Sequence, residues 1–311
     1  MAMDTPLPLI PPRRVEGLLV RENVVATVTP FIESATQLQA DEEAVAKLCG
    51  HILKLGENAL FVAGTTGEFA YMTDKLRIET VTAFARASKG RFRIIANASG
   101  DSPEATLKNI GSMAGLKEVS AIVIAPLHYL RMNEEIPQHM EQVLSLMEAI
   151  EKPLLLYNLP KIHLDTSLNI DPSIVKVFRN SIAGLKDSSC DLELLGEYAK
   201  QIETGTGDEG NITGALRKGA AFSVNSIGNI LPYPQRIFNS SSIVEMEKWQ
   251  KAINDVRLPL TANRRSATAA TKYWLSLKGI CSSRMADRGK ELTQEEKISV
   301  EEVFNRLRKE T

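Results

Sequence analysis

From about residue 22 the chain alternates short runs of apolar, often β-branched residues with longer stretches in which apolar positions recur every three or four residues. The short runs fall at 24–29 (VVATVT), 59–63 (ALFVA), 92–98 (FRIIANA), 121–125 (AIVIA), 154–157 (LLLY), 182–186, 203–207 and 222–226. Most are near-continuous apolar segments, as expected of strands buried on both faces. Between them, helical periodicity covers 41–55, 73–89, 103–116, 134–150, 171–178, 191–201 and 211–218, the fifth opened by Asp-Pro, a good helix start. Strand and helix in strict alternation predict a parallel sheet with right-handed crossovers, and eight repeats predict closure into a (β/α)8 TIM barrel of the α/β class. An open doubly wound sheet fits less well, because no GxGxxG follows the first strand. After Pro232 the rhythm changes, and 242–256, 260–277 and 293–309 read as helices without strands between them. The expected organisation is an N-terminal extension (1–21), a catalytic barrel (22–241) and a C-terminal helical region (242–311).

Charge and composition narrow the partners. The 311 residues carry 37 Lys+Arg against 38 Asp+Glu, with 43% hydrophobic residues, so no general electrostatic attraction to nucleic acid or anionic membranes is expected. No stretch approaches a membrane span, and the start MAMDTPLPLIPPRR does not read as a signal peptide, so a cytoplasmic protein is expected. Cys49, Cys190 and Cys281 form no CxxC and read as reduced thiols. With four histidines (His51, His128, His139, His163) and no HxH or HExxH, no metal site is expected, which disfavours a metal-dependent aldolase.

In a parallel barrel the active site lies where the strands end. The residues at those positions are Thr65, Thr66 and Glu68, then His128 and Tyr129, Tyr157 and Asn158, Lys186 and Asp187, Asp208 and Glu209, and Ser226. Lys186 closes an apolar strand and should face the barrel mouth, where a neutral amine suited to attack on a carbonyl is cheaper to hold than in bulk water. The competing reading is a structural salt bridge with Asp187 or Glu209. Tyr157 lies one βα unit earlier, so adjacent strands would bring its phenol beside the amine as a proton shuttle, although a strand-end Tyr is more often a packing residue. The turn Gly64-Thr65-Thr66-Gly67-Glu68 offers hydroxyls and N–H groups suited to a carboxylate, or does no more than cap a helix.

Three segments, GTTGE (64–68), YNLP (157–160) and GLKDSS (184–189), together resemble the dihydrodipicolinate synthase / N-acetylneuraminate lyase superfamily of class I aldolases; TVTPF (27–31) and NILP (229–232) fit as well. The resemblance implies that Lys186 forms an imine with pyruvate or another 2-keto acid. Tyr157 would be the general acid/base, with Thr65 in its proton path, and Thr65, Thr66 and Gly67 would meet the substrate carboxylate. It also implies a homotetramer without metal or organic cofactor, acting on pyruvate plus a small aldehyde or on a 2-keto sugar acid.

Departures from the family pattern bear on the second substrate. Dihydrodipicolinate synthases carry an arginine soon after YNxP, whereas this chain continues Lys161-Ile162-His163, with Ile162 in the arginine's place and Lys161 or His163 as possible substitutes. His128 stands where those enzymes bring a tyrosine into the relay. Residues 129–134 resemble archaeal 2-keto-3-deoxygluconate aldolases, and Gly207, Asp208, Glu209 and Ser226 resemble positions that bind the polyhydroxyl tail in N-acetylneuraminate lyases. For Asp208 and Glu209 the competing role is capping of the 211–218 helix. The expected activity is therefore cleavage or formation of a 2-keto-3-deoxy sugar acid. The alternatives are condensation with aspartate semialdehyde, N-acetylneuraminate cleavage and sugar-acid dehydration. A non-catalytic barrel predicts loss of Lys186 or Tyr157, and both are present.

Overall fold

A computed structural model describes residues 22–34, 37–160, 168–262 and 266–310. Eight parallel strands close a barrel in the spatial order β1-β10-β9-β8-β7-β6-β5-β4. They are β1 (Glu22–Ala26), β4 (Ala59–Val62), β5 (Arg93–Asn97), β6 (Val119–Ile124), β7 (Leu154–Asn158), β8 (Gly184–Asp187), β9 (Thr204–Thr206) and β10 (Phe222–Asn225). Around them run α1 (Glu42–Lys54), α2 (Asp74–Ser88), α3 (Pro103–Ala114), α4 (Ile136–Ile150), α5 (Pro172–Phe178), α6 (Leu192–Ala199), α7 (Ile212–Arg217) and α8 (Tyr233–Asn239). The C-terminal helices are α9 (Ile243–Thr261), α10 (Ala267–Leu277) and α11 (Gln294–Glu310).

Strand periodicity sorts the barrel's side chains into two cores. Val24, Phe61, Ile95, Val123, Leu155, Tyr157, Phe222 and Val224 fill the interior, joined by Phe69 from the turn after β4. Their strand neighbours, such as Val25, Leu60, Ile94, Ile122, Leu156 and Leu185, face the helical shell. Trp274, Val300, Val303 and Leu307 of the C-terminal helices belong to that same outer cluster.

Three departures from the sequence pattern have local causes. The first strand stops at Ala26, short of the expected residue 29. From there Thr27 N donates to Phe61 O, while the Thr29 hydroxyl donates to Gly67 O at 2.8 Å, so these residues brace the turn after β4. The segment that follows forms an antiparallel hairpin, β2 (Phe31–Ser34) with β3 (Gln37–Ala40), where the sequence pattern predicts no strand. The helix expected to end at 256 runs on through Pro259 to Thr261, and the next begins at Ala267 instead of 260. A proline inside a helix leaves the carbonyl four residues earlier without its donor. Here that carbonyl is Asp255 O, and Arg306 Nη2 of α11 supplies the missing bond at 3.0 Å.

Candidate active site

Strands β7 and β8 pair in register with Tyr157 opposite Lys186. Both side chains point inward, and Lys186 is 4% exposed. Its Nζ lies 4.1 Å from the centroid of the Tyr157 ring and 4.2 Å from that of Phe61, and the two rings meet edge to face at 5.7 Å. The amine thus sits between two aromatic faces, whose negative quadrupole favours a positive charge formed there. The opposite-face residues are engaged elsewhere. Asp187 accepts from Asn158 Nδ2 at 2.7 Å and from the Ser189 hydroxyl and N–H. Its carboxyl is raised from the ordinary value, burial outweighing these bonds. Glu209 accepts from Ser226 and Ile227. Neither carboxylate is spent on Lys186, so the salt-bridge reading of this lysine fails.

The Tyr157 hydroxyl and Thr65 Oγ1 are 3.1 Å apart and hydrogen-bonded. Thr65 lies on the turn after β4, where the chain reverses tightly: Glu68 N donates to Thr65 O and Phe69 N to Gly64 O. The backbone N–H groups of Thr66 and Gly67 have no acceptor among the described residues and can serve an anion. Close approach explains Gly67, because a Cβ there would lie 3.2 Å from Ala63 Cα and Thr27 O. At Gly207, just beyond β9, a Cβ would meet Ser188 Oγ at 2.0 Å and lie 3.2 Å from Lys186 Cε, so glycine fits this close approach beside the lysine.

Lys186, Tyr157, Thr65, the Thr66–Gly67 backbone and Gly207 therefore converge. The remaining candidates are placed differently. His128 packs on Phe69, ring centroids 4.7 Å apart, and faces Asp101 with Nε2 3.8 Å from the carboxylate. Asp208 accepts from Gly210 N at 2.9 Å, a local cap. Glu209 Oε2 takes the Ser226 hydroxyl and the N–H groups of Ser226 and Ile227 at 2.9–3.1 Å. It joins the ends of β9 and β10 and does not cap α7, whose first turn is capped by Asn211. Lys161, Ile162 and His163 lie outside the described residues.

Several bracing residues carried no signal of their own. In sequence Phe61 is one more apolar strand position. Asn158, in sequence only a strand end, ties β7 to Asp187 and to Ile170 N. Asn229, inside NILP, donates to Ala26 O and Ser226 O and accepts from Val28 N, locking β1 to the turn after β10. Lys272, on α10, reaches Glu68 of the GTTGE turn; a lysine on a helix usually reads as solvated, so only the fold reveals it.

A lysine between aromatic faces at the mouth of a parallel barrel, paired in register with a hydrogen-bonded tyrosine, is the equipment of class I, Schiff-base aldolases and lyases, and the protein is an enzyme of that class. Residues 20–305 match the model of the dihydrodipicolinate synthetase family, and the chain belongs to that family. It is similar to the 4-hydroxy-tetrahydrodipicolinate synthase of Ehrlichia canis, 26% identical over 298 residues, covering 91% of this chain and 95% of the relative. Among solved structures it resembles dihydrodipicolinate synthase of Bacteroides thetaiotaomicron, with TM-score 0.80, 25% identity and coverage of 93% of this chain and 99% of that one. A Ruminococcus gnavus sialic acid aldolase has the same fold at TM-score 0.80 and 17% identity, covering 91% of this chain and 94% of its own. No helix of the described residues is long and apolar enough to cross a membrane.

Proposed function

We propose that the protein forms an imine between Lys186 and a pyruvate-type 2-keto acid and uses it to cleave or make a 2-keto-3-deoxy sugar acid. The observation that carries the imine is the placement of Lys186 Nζ, about 4 Å from the faces of Tyr157 and Phe61, with Tyr157 bonded to Thr65 at 3.1 Å. The neutral amine attacks C2, and loss of water gives a protonated imine whose charge the two aromatic faces favour. The substrate carboxylate sits on the Thr66 and Gly67 N–H groups. Tyr157 takes the proton of the C4 hydroxyl as its own proton moves to Thr65 and that of Thr65 passes to solvent, and the reverse relay later supplies the proton for C3. The C3–C4 bond then breaks with its electrons drawn to the imine nitrogen, releasing an aldehyde. Protonation at C3 and hydrolysis return pyruvate and the free lysine. Addition runs the same steps in reverse.

The sugar-acid assignment rests on Ile162 standing where dihydrodipicolinate synthases place an arginine, and on His128 in place of their relay tyrosine. Asp208 and Gly207 remain at the β9 end to meet a hydroxylated tail. Glu209 and Ser226 support this less, since each already satisfies the other. A second reading, condensation of pyruvate with aspartate semialdehyde, is favoured by the synthase relatives at 26% identity. Borohydride trapping with a panel of 2-keto acids, followed by mass mapping, tests the imine: the adduct is expected on Lys186 and absent in Lys186→Ala. A variant lacking this lysine that still forms a borohydride-stable pyruvate adduct would refute the reading. Product analysis with pyruvate plus glyceraldehyde, against pyruvate plus aspartate semialdehyde, decides between the two second substrates.

A further inference from the structure

The turn that presents Thr65 and Thr66 is fastened from below and from outside. Below it, the Thr29 hydroxyl holds Gly67 O at 2.8 Å and Asn97 Nδ2 holds Ala63 O at 2.9 Å. Within it, Ala63 and Glu68 adopt φ of 56° and 67°, left-handed values that non-glycine residues keep only where the surroundings impose them. The outer fastening is the Glu68 side chain, which is 3% exposed and turned away from the barrel mouth. Its Oε1 meets Lys272 Nζ of α10 at 2.8 Å, and its Oε2 accepts from Ala286 N at 2.7 Å. Lys272 is fully buried, with its ammonium 4.2 Å from the centroid of Phe31.

Such a pair is a poor stability device. Removing two charges from water costs more than a well-packed apolar pair of similar volume would, and burial does pull the Lys272 ammonium below its ordinary value against the attraction of Glu68. What the charges add is direction. Each carboxylate oxygen has one fixed donor, so the side chain of Glu68 can leave its backbone in one orientation only. That backbone follows Gly67 directly and closes the turn through Glu68 N to Thr65 O at 3.0 Å.

We propose that Lys272 is a positioning residue for the catalytic turn, acting through its buried ion pair with Glu68 to hold Thr65 and Thr66 where they receive the substrate carboxylate and meet Tyr157. The inference rests on the lysine-imine reading above. It makes α10, which contributes nothing to the barrel mouth, part of the machinery that binds substrate. Displacing the turn by a fraction of an ångström weakens carboxylate binding and the Tyr157–Thr65 contact together, while Lys186, on the far side of Phe61, keeps its nucleophile.

The test is the pyruvate concentration that half-saturates borohydride trapping, together with turnover, at a temperature where near-UV circular dichroism shows each variant folded. Lys272→Met is expected to raise half-saturation on the order of tenfold and to lower turnover, with Lys186 still the trapped residue at saturation. Because Lys272 acts through Glu68, the double variant Glu68→Gln with Lys272→Met is expected to be no worse than the more impaired single variant. Losses that multiply in the double variant, or a folded Lys272→Met whose half-saturation stays within about twofold of wild type while only its melting temperature falls, overturn the proposal. Should Lys272→Met fail to fold, Glu68→Gln carries the test by removing the ion pair while keeping an acceptor for Ala286 N, and an unchanged half-saturation there overturns it equally. A wild-type protein that traps no pyruvate overturns the imine reading and this inference with it. Trapping by wild type with the same half-saturation in Lys272→Met overturns this inference alone.

Discussion

Tyr157 touches Thr65 through its hydroxyl and Lys186 through its ring, and mutation separates these two roles. Tyr157→Phe keeps the edge contact with Phe61 and the aromatic face over the amine but removes the hydroxyl proposed to carry the proton. Turnover should fall by about 10²–10⁴-fold, the usual worth of a general acid/base, while pyruvate is still trapped on Lys186. Equal loss of trapping and turnover would mean that the hydroxyl serves imine formation itself. A different residue sets the pH response of the fold. Glu57 is 1% exposed, and burial, opposed by the Asn23 amide and helped by the nearby Glu22, raises its carboxyl to about 8. A carboxyl raised in the folded state contributes stability fully only below its unfolded value near 4.5, and that contribution is lost as pH climbs toward 8. Each pH unit in that window costs about 1.4 kcal/mol at most. Glu57→Gln should therefore gain stability relative to wild type steadily between pH 5 and pH 8 in urea titrations. A constant difference across that range would show that Glu57 keeps an ordinary carboxyl.

Strand β9 shows how an element can be weak in sequence and still exact in demand. Its three residues, Thr-Gly-Thr, gave only a faint strand signal, yet Gly205 is fixed by its neighbour: a Cβ there would lie 2.1 Å from the ring of Phe222 on β10. Phe222 is large for an interior barrel position, and the missing side chain at 205 is what admits it. Gly205→Ala should destabilise by about 1–3 kcal/mol through overpacking, and Phe222→Leu in the same chain should recover part of that. A neutral Gly205→Ala in urea unfolding would place the ring elsewhere. The same strand marks how much could be read in advance. The eight strands and the helices between them were visible because burial on both faces writes near-continuous apolar runs and helical spacing. Lys186, Tyr157 and Thr65 were legible because a parallel barrel gathers its strand ends. The β2–β3 hairpin was not legible, since four-residue strands with exposed and half-buried positions carry little pattern. The length of α9 was hidden as well, because Pro259 argues for a stop and its compensation comes from Arg306, about fifty residues on. The role of Lys272 depends on packing between elements far apart in the chain, which no local window contains.

At the scale of the whole molecule, the helices of 242–311 share one core with the barrel. Ile253, Val256, Trp274 and Val300 lie in one cluster with the outward side chains of the barrel strands. Polar links cross the same boundary: Gln250 Nε2 donates to Glu209 O at 3.0 Å, Thr213 N donates to Gln250 Oε1 at 3.2 Å, and Lys272 holds Glu68 at 2.8 Å. The two tryptophans of the chain make this testable. Trp249 is on α9, stacked near Tyr233 with the Arg236 guanidinium 4.4 Å from its ring, and Trp274 is on α10, edge-on to Phe304 at 5.0 Å. Tryptophan fluorescence therefore reports α9, α10 and their immediate packing, whereas far-ultraviolet circular dichroism reports every helix of the chain. If one core holds both, the two signals should lose half their amplitude at the same urea concentration, as probes of a single cooperative unit do. Trp274→Ala, with its side chain 2% exposed, should cost about 3–5 kcal/mol of stability and lower both midpoints together. A fluorescence transition that precedes the loss of helix would instead make residues 242–311 a unit of their own. In that case imine trapping should weaken with the fluorescence, because the Lys272–Glu68 tether would part before the barrel does.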